Sequence, residues 1–375
     1  MRRKNILFIF GTRPEAIKMA PLIRELTLSK YRFRVRVCVT AQHREMLDQV
    51  LKLFRIRVHR DLNIMRKGQT LEELTARSLV MVRQAIAGER PDMVIVQGDT
   101  TTTFAASLAS FYESVPVAHI EAGLRTGDYL HPFPEEMNRV LTTRLASLHF
   151  APTRRARSNL IREGIAPATI HVSGNTVVDA LLDVVRRQRR KRIDFEGFFP
   201  GIDWKKKIIL VTGHRRENFG AEFRNICRAI RIVAEARDDV QFVYPVHLNP
   251  NVRKPARELL SKSANVLLLE PVPYDPFVWL MDRSYLVLTD SGGVQEEAPS
   301  LGKPVLVMRR RTERPEGVEA GTVRLVGTST ERIVSGLTRL LNSSKAYRAM
   351  SKAHNPYGDG KASRRIAAVL RKSLQ

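Results

Sequence analysis

Short runs rich in Val, Ile and Leu alternate along the chain with longer segments whose apolar residues recur every three or four positions. The short runs predict strands and the longer ones amphipathic helices. In the first half the strand-like runs are Ile6–Phe10, Arg34–Thr40, Met93–Gly98, Val115–Ile120 and His149–Ala151. Helical patterns lie between them, among them Ala16–Leu28, Arg44–Phe54, Leu71–Gly88 and Glu135–Ala146. A second series starts after a basic segment around residues 186–207. Its strands are Ile208–Thr212, Gln241–Pro245, Val266–Leu269, Tyr285–Leu288 and Pro304–Met308, with a short one at Thr322–Val326. Strands separated by helices imply parallel sheets covered on both faces. The fold class is therefore α/β, with two doubly wound units in succession and a boundary near residues 170–205. Neither half repeats the other in sequence.

At 375 residues the chain is long enough for two full cores. No apolar run approaches the roughly 20 residues that span a bilayer. The basic start, Met1 to Asn5, leads into a run too short for a secretory signal. Cys38 and Cys227 each lie in an apolar pattern and read as reduced core residues of a cytoplasmic protein. The net charge of +25 needs separate weighing, with basic runs at Arg154-Arg155, Arg186 to Arg192, Lys205 to Lys207 and Arg309 to Arg311. No zinc-finger spacing, aromatic RNA-binding motif or basic tail accompanies it, so specific nucleic-acid binding is not expected. Weak attraction to an anionic membrane surface stays open.

In open α/β sheets ligands sit beyond the carboxyl ends of the strands, and nearly every unusual polar cluster lies at such an end. The pattern points to one cleft shared by the two halves. After the first strand, Thr12 to Glu15 fits a capping box with Pro14 in the first turn. Helix initiation leaves Arg13 and Lys18 unexplained, because cations are disfavoured near a helix N-terminus; a nearby anion would remove the conflict. Asp99, followed by four threonines, fits either an N-cap or a site carboxylate. Glu121 ends the next strand. Prolines around Phe133 stiffen a loop that would hold Glu135 or Glu136 in place. Gly213-His214-Arg215 and Val246-His247 follow strands of the second half, as does Asp290-Ser291-Gly292-Gly293, which leads into a helix carrying Glu297. Its glycines let backbone approach a ligand, and free N–H groups there attract phosphate. Metal-ligand spacing, a Gly-x-Gly-x-x-Gly fingerprint and a Walker A loop are all absent, so neither a metal nor NAD is expected. Together the clusters suit chemistry at a nucleotide-linked sugar.

Six segments make a sharper identification. Phe10 to Lys18, Gln97 to Thr101, Glu121 to Thr126, Gly213 to Asn218, Asp290 to Pro299 and Thr312 to Glu316 resemble the non-hydrolysing UDP-N-acetylglucosamine 2-epimerases of bacteria. They do so in order, across about residues 5 to 362. The resemblance implies two Rossmann-like domains in the GT-B arrangement, residues 1–172 plus 356–375 and residues 173–355, usually as a homodimer. Its final helix, Ala362–Leu374, would return to the first domain. It implies interconversion of UDP-GlcNAc and UDP-ManNAc, supplying ManNAc for surface polysaccharides, without a cofactor. By resemblance Arg13, Lys18, Ser291, Gly292, Gly293, Glu297 and Arg314 hold the UDP-sugar, with Phe277 beside the uracil and Glu297 on the ribose. Asp99, Glu121, Glu135 and His214 match the catalytic positions. In some relatives a second UDP-GlcNAc binds as an activator near the positions of Gln42, His43, Arg215 and His247; Glu45 stands where some of them have Gln.

The implied reaction explains the residue set. The C2 proton is too weak an acid for direct removal, so the family eliminates UDP to 2-acetamidoglucal and re-adds it with a proton on the other face. The leaving diphosphate needs cations and N–H groups, and the two faces need two acid/base groups among Asp99, Glu121 and Glu135. His214 would assist the diphosphate. Departures from the family are Gln97 for a frequent His, His131 and Phe133 for frequent Ser and Trp, Val272 for Gln, and Arg310-Arg311 for Asp-Thr. The rival readings are a hydrolysing epimerase that releases UDP and ManNAc, a glycosyltransferase, and a silent sugar-nucleotide sensor.

Overall fold

The run Lys4–Phe10 forms strand β1, with every residue from Asn5 onward buried, as a central parallel strand covered on both faces requires. The structure, a computed structural model, describes residues 3–29, 32–40, 44–66 and 68–374. The chain divides into two units, the first comprising residues up to Ala180 together with those from Tyr357 onward, the second Leu181–Pro356.

In the first unit β1 is joined by β2 (Phe33–Val39), β3 (Arg60–Asp61), β4 (Met93–Gln97), β5 (Val117–Ile120), β6 (Leu148–Ala151) and β7 (Ile170–Val172). They form one sheet in the order β3-β2-β1-β4-β5-β6-β7, and the recorded pairings are parallel. The second unit contains β8 (Lys207–Thr212), β9 (Val240–Pro245), β10 (Val266–Leu269), β11 (Leu286–Thr289), β12 (Val305–Val307) and β13 (Val323–Leu325). Its parallel order is β10-β9-β8-β11-β12-β13. Both sheets therefore have the Rossmann order, although the two halves share no sequence repeat. In each, the order reverses between the first and fourth strands: β1 and β4 in one, β8 and β11 in the other. Two loops diverge there and open a crevice, the usual ligand position in such sheets.

Each unit has its own core. Leu7, Ile9, Cys38, Val82, Val94 and Val96 contribute to one, and Ile209, Val211, Phe223, Ile230, Phe242 and Leu288 to the other. Full burial of each such side chain contributes roughly 1.5–3 kcal/mol. Cys38 and Cys227 are free and buried, and burial pushes both thiols up to about 12. The helix Ala362–Ser373 packs against Arg13–Leu28 in the first unit. Its N-terminus has no side-chain cap of its own. The Asp179 carboxylate caps it instead, accepting from the N–H groups of Ala362 (3.1 Å) and Ser363 (2.8 Å).

Two strands escape the hydrophobic pattern. β3 is a two-residue polar edge, and β7 carries His171 within three residues. The basic segment is also more ordered than a boundary. Arg186 to Lys191 end the helix Thr176–Lys191, with Arg187 and Arg189 paired to Asp275 (2.7 Å) and Asp282 (2.9 Å). Among the described residues no helix is long and apolar enough to cross a membrane.

Candidate active site

At the end of β1 the chain turns through Gly11 and Thr12 into the helix Arg13–Leu28. The expected capping box is present: Thr12 accepts from the Glu15 N–H, and Glu15 Oε2 accepts from Thr12 N (2.7 Å) and Gly11 N (3.0 Å). The box does more than start a helix. Glu15 Oε1 also accepts from the Thr100 (2.6 Å) and Thr103 (3.2 Å) hydroxyls. This carboxyl is only 2% exposed, and burial raises its pKa against the opposing hydrogen bonds from Thr100, Gly11 and Thr12. One side chain thus fastens the turn bearing Arg13 to the turn bearing Asp99.

Asp99 is not the helix cap. Thr100 caps the helix Thr101–Tyr112, accepting from Thr103 N (3.1 Å), which leaves the Asp99 carboxylate for another partner. That partner is Arg139 Nη2. Arg139 Nη1 bonds Glu136 Oε2 (2.9 Å), while Glu136 Oε1 accepts from the N–H groups of Thr126 (2.9 Å) and Gly127 (3.1 Å). Of the two carboxylates left open by the sequence, Glu136 is therefore committed to structure. Glu135, the first residue of the helix Glu135–Leu145, is half-buried. Beneath Asp99, His119 on β5 bonds the Gly98 carbonyl through Nε2 (2.8 Å). Burial lowers the His119 pKa to about 3, so the ring is neutral and Nε2 carries the donated proton.

Glu121 follows β5 with a left-handed backbone, φ 64°, a conformation that costs a non-glycine residue about 1–3 kcal/mol. Its Oε2 accepts from Lys18 Nζ, Gln97 Nε2 (2.9 Å) and Asn175 Nδ2 (3.3 Å). The anion that Lys18 needed is thus supplied from within the chain. Gly123, at φ 90°, packs so closely that a Cβ there would lie 2.3 Å from the Ala156 carbonyl oxygen. That contact fixes the turn on which Glu121 sits.

In the second unit Asp290, fully buried at the end of β11, organises the loop after β8. Its carboxylate accepts from the N–H groups of His214 (2.9 Å) and Arg215 (2.9 Å) and from Asn218 Nδ2 (3.1 Å). The exposed His214 ring stacks on His247, with centroids 5.3 Å apart. Ser291 occupies the N-cap position of Gly292–Glu297 without bonding the helix through its side chain, and its hydroxyl has no partner among the described residues. Arg314 lies over Gly292: a Cβ at that position would meet Nη1 at 2.5 Å. Its guanidinium is held by Glu296 (Nε to Oε1, 2.6 Å) and by Glu313. Burial acts to raise the Glu313 pKa, but Arg314, Arg309 and Arg215 bring it well below the usual carboxylate range. Glu297 Oε1 accepts from the Tyr274 hydroxyl (2.6 Å), and Phe277 lies one turn along the same helix, Tyr274–Arg283.

Arg13, Lys18, Asp99, Glu121 and Glu135 therefore gather around the ends of β1, β4 and β5. His214, Arg215, His247, Phe277, Ser291, Gly292, Gly293, Glu297 and Arg314 gather around the second switch point. Gln42 and His43 lie outside the described residues, as does the Glu45 side chain. Sequence reasoning missed Arg139, Tyr274, the second role of Glu15 and the part Asp290 plays in organising the loop after β8. Only the Glu136–Arg139 spacing of three residues, on one helical face, signalled a pair.

A Rossmann crevice with an arginine held over a glycine turn, and a companion unit in which Asp99 and Glu121 are each held by a cation, is the equipment of an α/β enzyme that handles nucleotide-linked sugars. Comparison with known proteins narrows that class. A sequence profile described as UDP-N-acetylglucosamine 2-epimerase matches residues 26–371. The UDP-N-acetylglucosamine 2-epimerase of Escherichia coli K12 is 58% identical over 370 residues, covering 98% of each chain. The crystal structure of UDP-GlcNAc 2-epimerase from Neisseria meningitidis bound to UDP-GlcNAc superposes with a TM-score of 0.93 at 51% identity, covering 98% of this chain and 100% of that one. The S. aureus MnaA–UDP co-structure gives a TM-score of 0.89 at 47% identity, covering 99% of this chain and 97% of that one. The chain belongs to the UDP-N-acetylglucosamine 2-epimerase family, and epimerase activity goes with that membership.

Proposed function

We propose that this protein is the non-hydrolysing form of the epimerase, interconverting UDP-GlcNAc and UDP-ManNAc and so supplying ManNAc units for surface polysaccharide. The observation that carries the proposal is the pair of carboxylates at adjacent strand ends, Asp99 held by Arg139 and Glu121 held by Lys18. Inversion at C2 requires one group to remove a proton and another to return one from the opposite face. Asp99 and Glu121 take these roles, with Glu135 next to them in the assignment. In the elimination one carboxylate takes the C2 proton, the C2–H electron pair forms the C1–C2 double bond and the C1–O bond breaks, leaving 2-acetamidoglucal and UDP; re-addition restores the C1–O bond on its original face while the second group delivers a proton to the other face of C2. Arg13, Ser291 to Gly293 and Arg314 stabilise the departing diphosphate, and His214 donates a hydrogen bond to it. Glu297, oriented by Tyr274, takes the ribose hydroxyls, and Phe277 lies beside the uracil. Arg215 and His247 belong to the activator position, with Gln42 and His43.

Incubation with UDP-GlcNAc, with the products resolved by chromatography, tests the reading. UDP-ManNAc at equilibrium with its epimer, carrying solvent deuterium at C2, is the expected result. Free ManNAc with stoichiometric UDP would instead establish the hydrolysing alternative.

A further inference from the structure

We infer that Gln97 and Asn175 are positioning residues for Glu121, forming with Lys18 a three-donor clamp on Oε2 that leaves the second oxygen for proton transfer. The inference rests on the epimerase reading above, in which Glu121 exchanges a proton with the sugar. Glu121 is at once buried, charged and left-handed in its backbone. A strained residue persists only where its surroundings over-determine it, and here the surroundings converge on a single atom. Lys18 Nζ, Gln97 Nε2 and Asn175 Nδ2 all donate to Oε2, while Oε1 has no partner among the described residues.

The clamp comes from three distant places in the sequence, each fixed independently. Lys18 lies on the buried face of Arg13–Leu28. Gln97 is the last residue of β4, 3% exposed. Asn175 is braced by its own Oδ1, which accepts from Val177 N (3.1 Å), and by its N–H, which bonds the Tyr357 carbonyl (2.7 Å). Lys18 alone would supply the charge. The two amides add direction, because a planar N–H donor fixes the plane of the carboxylate as an ammonium cannot. Neither amide titrates, so both can donate to Oε2 with Glu121 in either protonation state of a catalytic cycle, more strongly to the carboxylate, while the proton moves on Oε1.

The test uses Gln97→Leu, which keeps the volume and removes the donor, Gln97→His, which keeps an N–H, and Asn175→Asp, which keeps the acceptor for Val177. A misdirected acid/base group costs turnover rather than binding. Gln97→Leu and Asn175→Asp are thus expected to lower kcat by about 10- to 100-fold with KM and UDP affinity within about twofold of wild type. Gln97→His is expected to recover most of the loss. Wild-type kcat in Gln97→Leu, a loss that appears in KM alone, or a failure of Gln97→His to recover activity each overturns the clamp. Absence of turnover in the wild-type protein would refute the functional reading instead. The clamp is then judged by crystal structures: a Glu121 carboxylate unmoved in the Gln97→Leu/Asn175→Leu double variant overturns it, and one released from Oε2 contact with Lys18 upholds it.

Discussion

Replacing Gly292 by Ala measures what the glycine beneath Arg314 is for. The new Cβ would stand 2.5 Å from Nη1, 2.8 Å from Cζ and 3.2 Å from Nη2 of Arg314. Ordinary contact needs about 3.5 Å, so the guanidinium must retreat by roughly 1 Å. It has little freedom to do so, because Arg314 is 8% exposed and its Nε–Oε1 bond to Glu296 is already 2.6 Å long. A 1 Å retreat stretches that bond past the length at which it contributes. Charge-assisted hydrogen bonds are worth about 1.5–3 kcal/mol each, so partial loss of the Glu296 and Glu313 bonds costs about 2–4 kcal/mol. At roughly 2–4 °C per kcal/mol for a unit of this size, Tm should fall by about 4–16 °C. UDP affinity, measured by titration calorimetry, should weaken by about tenfold or more if the guanidinium binds the diphosphate. Gly293→Ala is the control for stability, since its Cβ would meet nothing nearer than Glu297 Oε2 at 4.0 Å. A Gly292→Ala protein with the Tm of Gly293→Ala and the UDP affinity of wild type would refute the reasoning.

Gly123→Ala should be worse than either, because a Cβ 2.3 Å from the Ala156 carbonyl oxygen meets backbone, and φ 90° disfavours any L side chain. We expect little soluble, folded protein, and near-wild-type yield and melting would contradict the packing described. Asp99→Asn should keep UDP binding and lose turnover by about 100-fold or more; near-normal turnover would remove Asp99 from the proton-transfer pair. Stability should also depend on pH through His119. Its folded pKa, near 3, lies below the ordinary 6.5, so the unfolded chain binds more protons between those values. Stability is therefore lost as pH falls through that window, by about 1.4 kcal/mol per pH unit from this group. His119→Gln, which keeps a donor for Gly98, should show a flatter Tm profile between about pH 6 and 4, and an unchanged slope would refute the assignment.

Much of this architecture is legible in the sequence because parallel strands buried on both faces are continuous apolar runs, and the polar clusters following them lie at sheet ends. The edge strands β3 and β7 are not legible, being too short and too polar to establish a pattern. Asp99 and Thr100 are both good caps, and only the backbone decides that Thr100 takes the role. The partner of Lys18 lies 103 residues away, so no local spacing could reveal Glu121. Gly292 is a similar case: sequence suggests close approach of a phosphate, whereas the structure adds Arg314 as a second reason for the missing side chain.

The return of the last helix bears on how the chain is made. The second unit is one continuous stretch, Leu181–Pro356, and is synthesised between the two parts of the first. The sheet of the first unit can form early, but the face of Arg13–Leu28 that Ala362–Ser373 covers stays bare until that helix has been made. Until then Asp179 also lacks the two N–H groups it accepts from. The unit begun first thus stays incomplete until after the second has been made, and a chain truncated after Pro356 would contain all of the second unit and a first one that has yet to close.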